Sequence, residues 1–72
     1  MTVARVTELS ATSEQSFEDA VNMAVKRATQ TLRNVESAWV KDQNVLIENG
    51  NIMGYKVNVA ITFVLEEGEQ PA

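Results

Sequence analysis

Residues 37–66 read SAWVKDQNVLIENGNIMGYKVNVAITFVLE, and this stretch decides the fold. Asn49-Gly50 sits near its middle, and an Asn-Gly pair tolerates positive φ at both central positions of a tight turn. Beyond the turn, Met53, Tyr55, Val57, Val59, Ile61, Phe63 and Leu65 recur at every second residue, with Gly54, Lys56, Asn58, Ala60 and Thr62 between them. A half-buried strand explains a period of two and a helix does not. The stretch therefore predicts a long β-hairpin, with one strand over Ser37–Glu48 and the next over Ile52–Glu66. On the first of these strands, Ala38 and Val40 share one face and Ser37, Trp39, Lys41 and Gln43 the other.

Upstream of the hairpin, Phe17, Ala20, Val21, Ala24, Val25, Ala28 and Leu32 repeat at intervals of three and four, which defines one buried helical stripe. Thr12 with Gln15 fits a capping box, with Ser13 as an alternative cap. Glu14, Glu18 and Asp19 put negative charge near the positive end of the helix dipole, and Asn34 is a suitable stop. The reading is a helix over Ser13–Arg33, whose alanines let it lie close to a sheet. Val3–Leu9 reads as a first strand with Ala4 and Val6 turned inward. The expected architecture is α+β in the order β-α-β-β, a three-stranded antiparallel sheet with one long helix packed on one face. The whole chain, 1–72, reads as one domain, with residues 66–72 as a charged, frayed tail.

A helix of about 20 residues spans roughly 30 Å, whereas a strand of about 15 residues spans roughly 45–50 Å. One helix cannot cover such a strand, so either Phe63 and Leu65 or Met53 and Tyr55 would be left for another chain. A three-stranded sheet also leaves two edges open to pairing. With 72 residues and no cysteine or histidine, neither disulfides nor the usual zinc ligands are at hand to reinforce a small core. The uncovered strand and the open edges both predict a homo-oligomer built through the hairpin, and the small core needs one.

Composition narrows the function. Six basic and ten acidic residues give a net charge of −4, which argues against a nucleic-acid partner. No apolar run reaches the roughly 18 residues of a membrane span, and no basic-then-apolar leader is present, so a cytoplasmic protein without a membrane partner is expected. Catalysis is not expected: there is no histidine or cysteine, no glycine-rich phosphate loop and no nucleophile elbow. The paired carboxylates Glu18-Asp19 and Glu66-Glu67 fall in a helix start and a tail.

Thr12-Ser13-Glu14 before an alanine-rich helix, Thr31-Leu32-Arg33-Asn34-Val35 at its end, Val40-Lys41-Asp42-Gln43, Tyr55-Lys56-Val57 and Phe63-Val64-Leu65 together resemble the dodecin family. The likeness runs from Val3 to Glu67 and rests on the spacing of the whole set. It implies a hollow homo-dodecamer that binds flavin, riboflavin or FMN, for storage rather than catalysis. In that family a tryptophan of the second strand stacks on the flavin, and a glutamine early in the third hydrogen-bonds the ring edge. Aligned without gaps, the stacking position here is Ser37, and Trp39 stands about 7 Å further along the strand. The glutamine position is Lys56, whose ammonium donates but cannot accept. Asp42 and Gln43 match what many members carry. The resemblance thus implies a cofactor-binding set of Trp39, Ser37, Lys56, Asp42 and Gln43, with no metal site. The alternative is a dodecin-like shell without flavin, with a structural or ion-related role, in which Trp39 anchors a subunit contact and Lys56 is a solvated charge or pairs with Asp42.

Overall fold

The computed structural model describes residues 3–65. The chain runs β1 (Val3–Ser13), α1 (Phe17–Thr31), β2 (Val35–Glu48) and β3 (Asn51–Leu65). All pairings are antiparallel, and β3 lies between β1 and β2. The β-α-β-β order and the single helix on one face of the sheet agree with the sequence reading. The Asn49-Gly50 turn closes the hairpin as its chemistry requires, with φ of 53° and 78°. The expected end of β3 at Glu66 and the tail over 66–72 lie outside the described residues.

The core forms where the alanine stripe meets the central strand. Ala20, Ala24 and Ala28 are buried at one helical turn's spacing against Val57, Val59 and Ile61. Methyl side chains keep the helix backbone near the sheet, so the branched residues of β3 fill the space between. Phe17 closes one end of this seam by an edge-on contact with Tyr55, with ring centroids 5.1 Å apart. At the other end Leu32 and Val35 pack against the same cluster. There the seam opens as a depression of about 430 Å³ lined by Thr31–Asn34 and Phe63–Leu65.

The end of β1 and the start of the helix differ from expectation for one reason, and β2 begins at Val35 rather than Ser37. β1 continues to Ser13, four residues beyond the expected Leu9, and consumes the residues that looked like a helix cap. Ser13 is buried; its hydroxyl donates to Asp19 Oδ2 at 2.6 Å and accepts from the Gln15 backbone N–H at 2.9 Å. The helix is instead capped by Ser16, whose side chain accepts from the Asp19 N–H at 3.0 Å. It ends at Thr31 rather than Arg33, and Asn34 then turns the chain with φ 59°. In β1 the inward residues are Leu9, Ala11 and Ser13, so Ala4 and Val6 point away from the helix. The imperfect alternation of that strand hid its parity.

At 15 residues the helix spans about 22 Å, while the molecule is 52 Å long. The uncovered end is the hairpin tip. Tyr55 is covered by Phe17, and Phe63 and Leu65 are half-buried. Met53 falls off the buried face because the register slips there, leaving it 52% exposed beside Ile47 and Ile52.

Candidate functional site

On the face away from the helix, the register arranges side chains in rows across β1, β3 and β2. They run Val6–Thr62–Ser37, then Glu8–Ala60–Trp39, Ser10–Asn58–Asp42 and Thr12–Lys56–Asn44. Successive side chains on one strand face are about 7 Å apart and neighbouring strands about 5 Å apart. Trp39 is 68% exposed, far more than a tryptophan placed for packing within one chain. Beside it the central position is Ala60, which is buried at 4% exposure.

A bulge decides which residues join this face. Val40 pairs with Val59 and Asp42 with Asn58, so Lys41 is the extra residue in β2. A bulge reverses the alternation beyond it. Asp42 therefore joins Ser37 and Trp39, while Gln43, opposite the buried Val57, turns to the helix side. Of the five candidate residues, Ser37, Trp39, Asp42 and Lys56 are brought to one face and Gln43 is not.

Each polar group has a specific setting. Asp42 Oδ1 accepts from the Asn58 side-chain amide, its cross-strand neighbour. Of the two settings considered for Lys56, the pair with Asp42 is not made; Lys56 is one row further on, between Thr12 and Asn44. Lys41 reaches across β3 to β1, where its Nζ meets Glu8 Oε2 at 3.0 Å. Glu8 and Asn58 were absent from the sequence-derived set. Glu8 lies 33 residues from Lys41, and no local pattern signals a pair that only the strand order creates.

Chemically this face offers one exposed aromatic plate, a carboxylate–amide pair, a carboxylate–ammonium pair and a further ammonium. Such a set suits a flat, polar-edged aromatic molecule. Trp39 supplies a stacking surface, with donors and acceptors around it. Ser37 cannot stack. Lys56 can donate to a ring carbonyl or a phosphate but cannot accept from an imide.

The family model for dodecin matches residues 3–66 of this chain. The chain belongs to the dodecin family. The dodecin of Thermus thermophilus is 37% identical over 60 residues, covering 83% of this chain and 87% of that protein. The structure of dodecin from Streptomyces coelicolor superposes with a TM-score of 0.85 at 37% identity, covering 93% of this chain and 96% of that one. A calcium dodecin from Mycobacterium tuberculosis, solved with a novel calcium-binding site, superposes with a TM-score of 0.79 at 28% identity. It covers 97% of this chain and 99% of its own. The dodecin fold is thus common to this chain and to these relatives. The described residues contain no helix long and apolar enough to cross a membrane.

Proposed function

We propose that this dodecin assembles into a hollow homo-dodecamer and binds a flavin on the sheet face that carries Trp39, as a store rather than as an enzyme. The observation that carries the ligand is the position of Trp39. A ring 68% exposed on the face away from the core, next to an alanine and in line with Asp42 and Asn58, is suited to stacking a planar ligand. Asp42 and Lys56 on the same face supply an acceptor and a donor for the polar parts of that ligand, and Ser37 borders the ring. Gln43, opposite the buried Val57, lies outside this face. Assembly is supported by the bare hairpin tip and by two open sheet edges. A cytoplasmic location accords with a flavin store.

A second reading is a dodecin shell that takes no flavin and serves a structural or ion-related role. It is favoured by Ser37 and Lys56 standing where the family resemblance calls for a tryptophan and a glutamine. No three acidic side chains gather around one point among the described residues, so an ion site would draw ligands from several copies.

Riboflavin titration separates the two. Binding should quench both flavin and Trp39 emission, and Trp39→Ala should weaken affinity about tenfold, the scale of a stacked aromatic contact. Absence of quenching at tens of micromolar flavin would leave the shell reading. Native mass spectrometry should give about 95 kDa, twelve copies of the 7.9 kDa chain. A stable monomer would overturn both readings.

A further inference from the structure

We propose that the hairpin tip of one copy seats in the depression at the helix C-terminus of the next, joining subunits head to tail. The inference rests on the assembly reading above and names the two surfaces that meet.

The chain carries an unfinished apolar feature at each extreme. At the tip, Ile47, Ile52 and Met53 are more than half exposed, beyond the reach of the helix. At the other end Leu32, Phe63 and Leu65, all half-buried, line the open depression of about 430 Å³. β3 runs the whole way between them, and its 15 residues separate the two features by roughly 45–50 Å. No copy can therefore seat its own tip in its own depression. The occupant has to be a second copy.

The two surfaces complement each other. The depression is far larger than the ~30 Å³ share of one water in the liquid, and its apolar walls offer water few hydrogen bonds. The aliphatic side chains of the tip can fill it at the density of a protein interior. Charge agrees as well. Glu48 is the one charged residue between Asn44 and Met53, and Arg33 is the charged residue among the described ones that line the depression. A tip-on-tip contact would instead bring two Glu48 carboxylates together and leave the depression open. A head-to-tail contact covers both apolar features at once.

Such a contact is heterologous, and it closes only as a ring. In a shell of twelve copies built on two- and three-fold axes it falls on a three-fold, because a two-fold makes only like-with-like contacts. The ring therefore holds three copies.

The chain has no cysteine, so introduced thiols test the contact directly. Thr31→Cys puts one on the exposed rim of the depression, and Met53→Cys puts one on the tip with Ile47, Glu48 and Ile52 retained. A disulfide needs Cα atoms within about 7 Å, which in the double variant requires a tip and a depression from different copies to meet. Under copper–phenanthroline oxidation it should link about a hundredfold faster than either single variant, the ratio of a millimolar effective concentration to ~10 μM chain. The product should be a trimer of about 24 kDa on a non-reducing gel, three copies of the 7.9 kDa chain. Glu48→Cys with Thr31→Cys, run in parallel, samples the neighbouring position of the tip.

Rapid linking of either single variant means that like surfaces meet, and overturns the proposal. So does a native mass that stays oligomeric while neither double variant links, or a ladder that runs past three copies. A monomeric native mass for the wild type fails the assembly reading itself. Circular dichroism of each variant, unchanged from the wild type, ensures that linking reports on seating.

Discussion

Replacing Ile47 and Ile52 together by serine tests whether the hairpin tip is an assembly surface. The two residues form a cross-strand pair beyond the reach of the helix and are 65% and 55% exposed. In the isolated chain most of their surface already meets water, so the substitution removes little burial. The loss of β-propensity in two exposed strand positions costs at most about 1 kcal/mol. In an assembly that covers the tip the sum is different. Full burial of an isoleucine is worth about 1.5–3 kcal/mol, so covering the exposed half to two-thirds is worth about 1–2 kcal/mol at each site. Together that is about 2–4 kcal/mol per copy, or roughly a 30- to 700-fold shift in the association constant.

The assay is a dilution series read by light scattering after size-exclusion, with circular dichroism on the same samples. The variant should dissociate at concentrations higher than the wild type by about that factor. A chain of this length buries little core alone, so dissociation and unfolding can coincide. The dissociation midpoint carries the result in either case. A variant that dissociates at the same concentration as the wild type refutes the reasoning and moves the interface elsewhere, for example to the edges β1 and β2.

Two further predictions concern the helix. Ser16→Ala removes the acceptor for the Asp19 N–H and should cost about 1 kcal/mol, lowering Tm by about 4–8 °C, whereas Thr12→Ala should stay within about 0.5 kcal/mol. Equal losses from the two, measured by thermal melts, would restore the cap to Thr12. Ala24→Leu inserts a branched side chain where the helix backbone approaches Val57 and Val59, and should cost about 1–3 kcal/mol by denaturant titration. Leucine at the exposed neighbour, Met23→Leu, should be close to neutral. Parity between the two would mean that the helix does not lie as close to the sheet as its alanines imply.

The parts of this fold legible in the sequence are those where one face is strongly specified. The run from Tyr55 to Leu65 announces β3 because its alternation is long, and Asn49-Gly50 announces the turn because few other dipeptides accept both positive φ values. β1 was harder. Valines 3 and 6 are both exposed, and the inward set of Leu9, Ala11 and Ser13 begins only in the second half of the strand. The cap is ambiguous in the sequence because Thr12, Ser13 and Ser16 all carry suitable hydroxyls. Pairing of Thr12 with Lys56 and Ser13 with Tyr55 extends the ladder through two of them, a tertiary effect that local pattern does not encode.

The candidate site was legible in its residue types and not in its geometry, and the reason is the bulge at Lys41. Strict alternation from Trp39 would place Lys41 and Gln43 with it and send Asp42 to the helix side. One extra residue inverts that set beyond it: Asp42 gains Asn58 as a neighbour and Gln43 leaves. No glycine marks this bulge. It lies between two fixed pairings, Val40 with Val59 and Val45 with Tyr55. Those anchors are five residues apart on β2 and four apart on β3, so one residue must be left over between them. The bulge therefore fixes which polar groups appear on the face away from the helix. A substitution that shifted this leftover residue would reorganise the polar face while leaving the core intact.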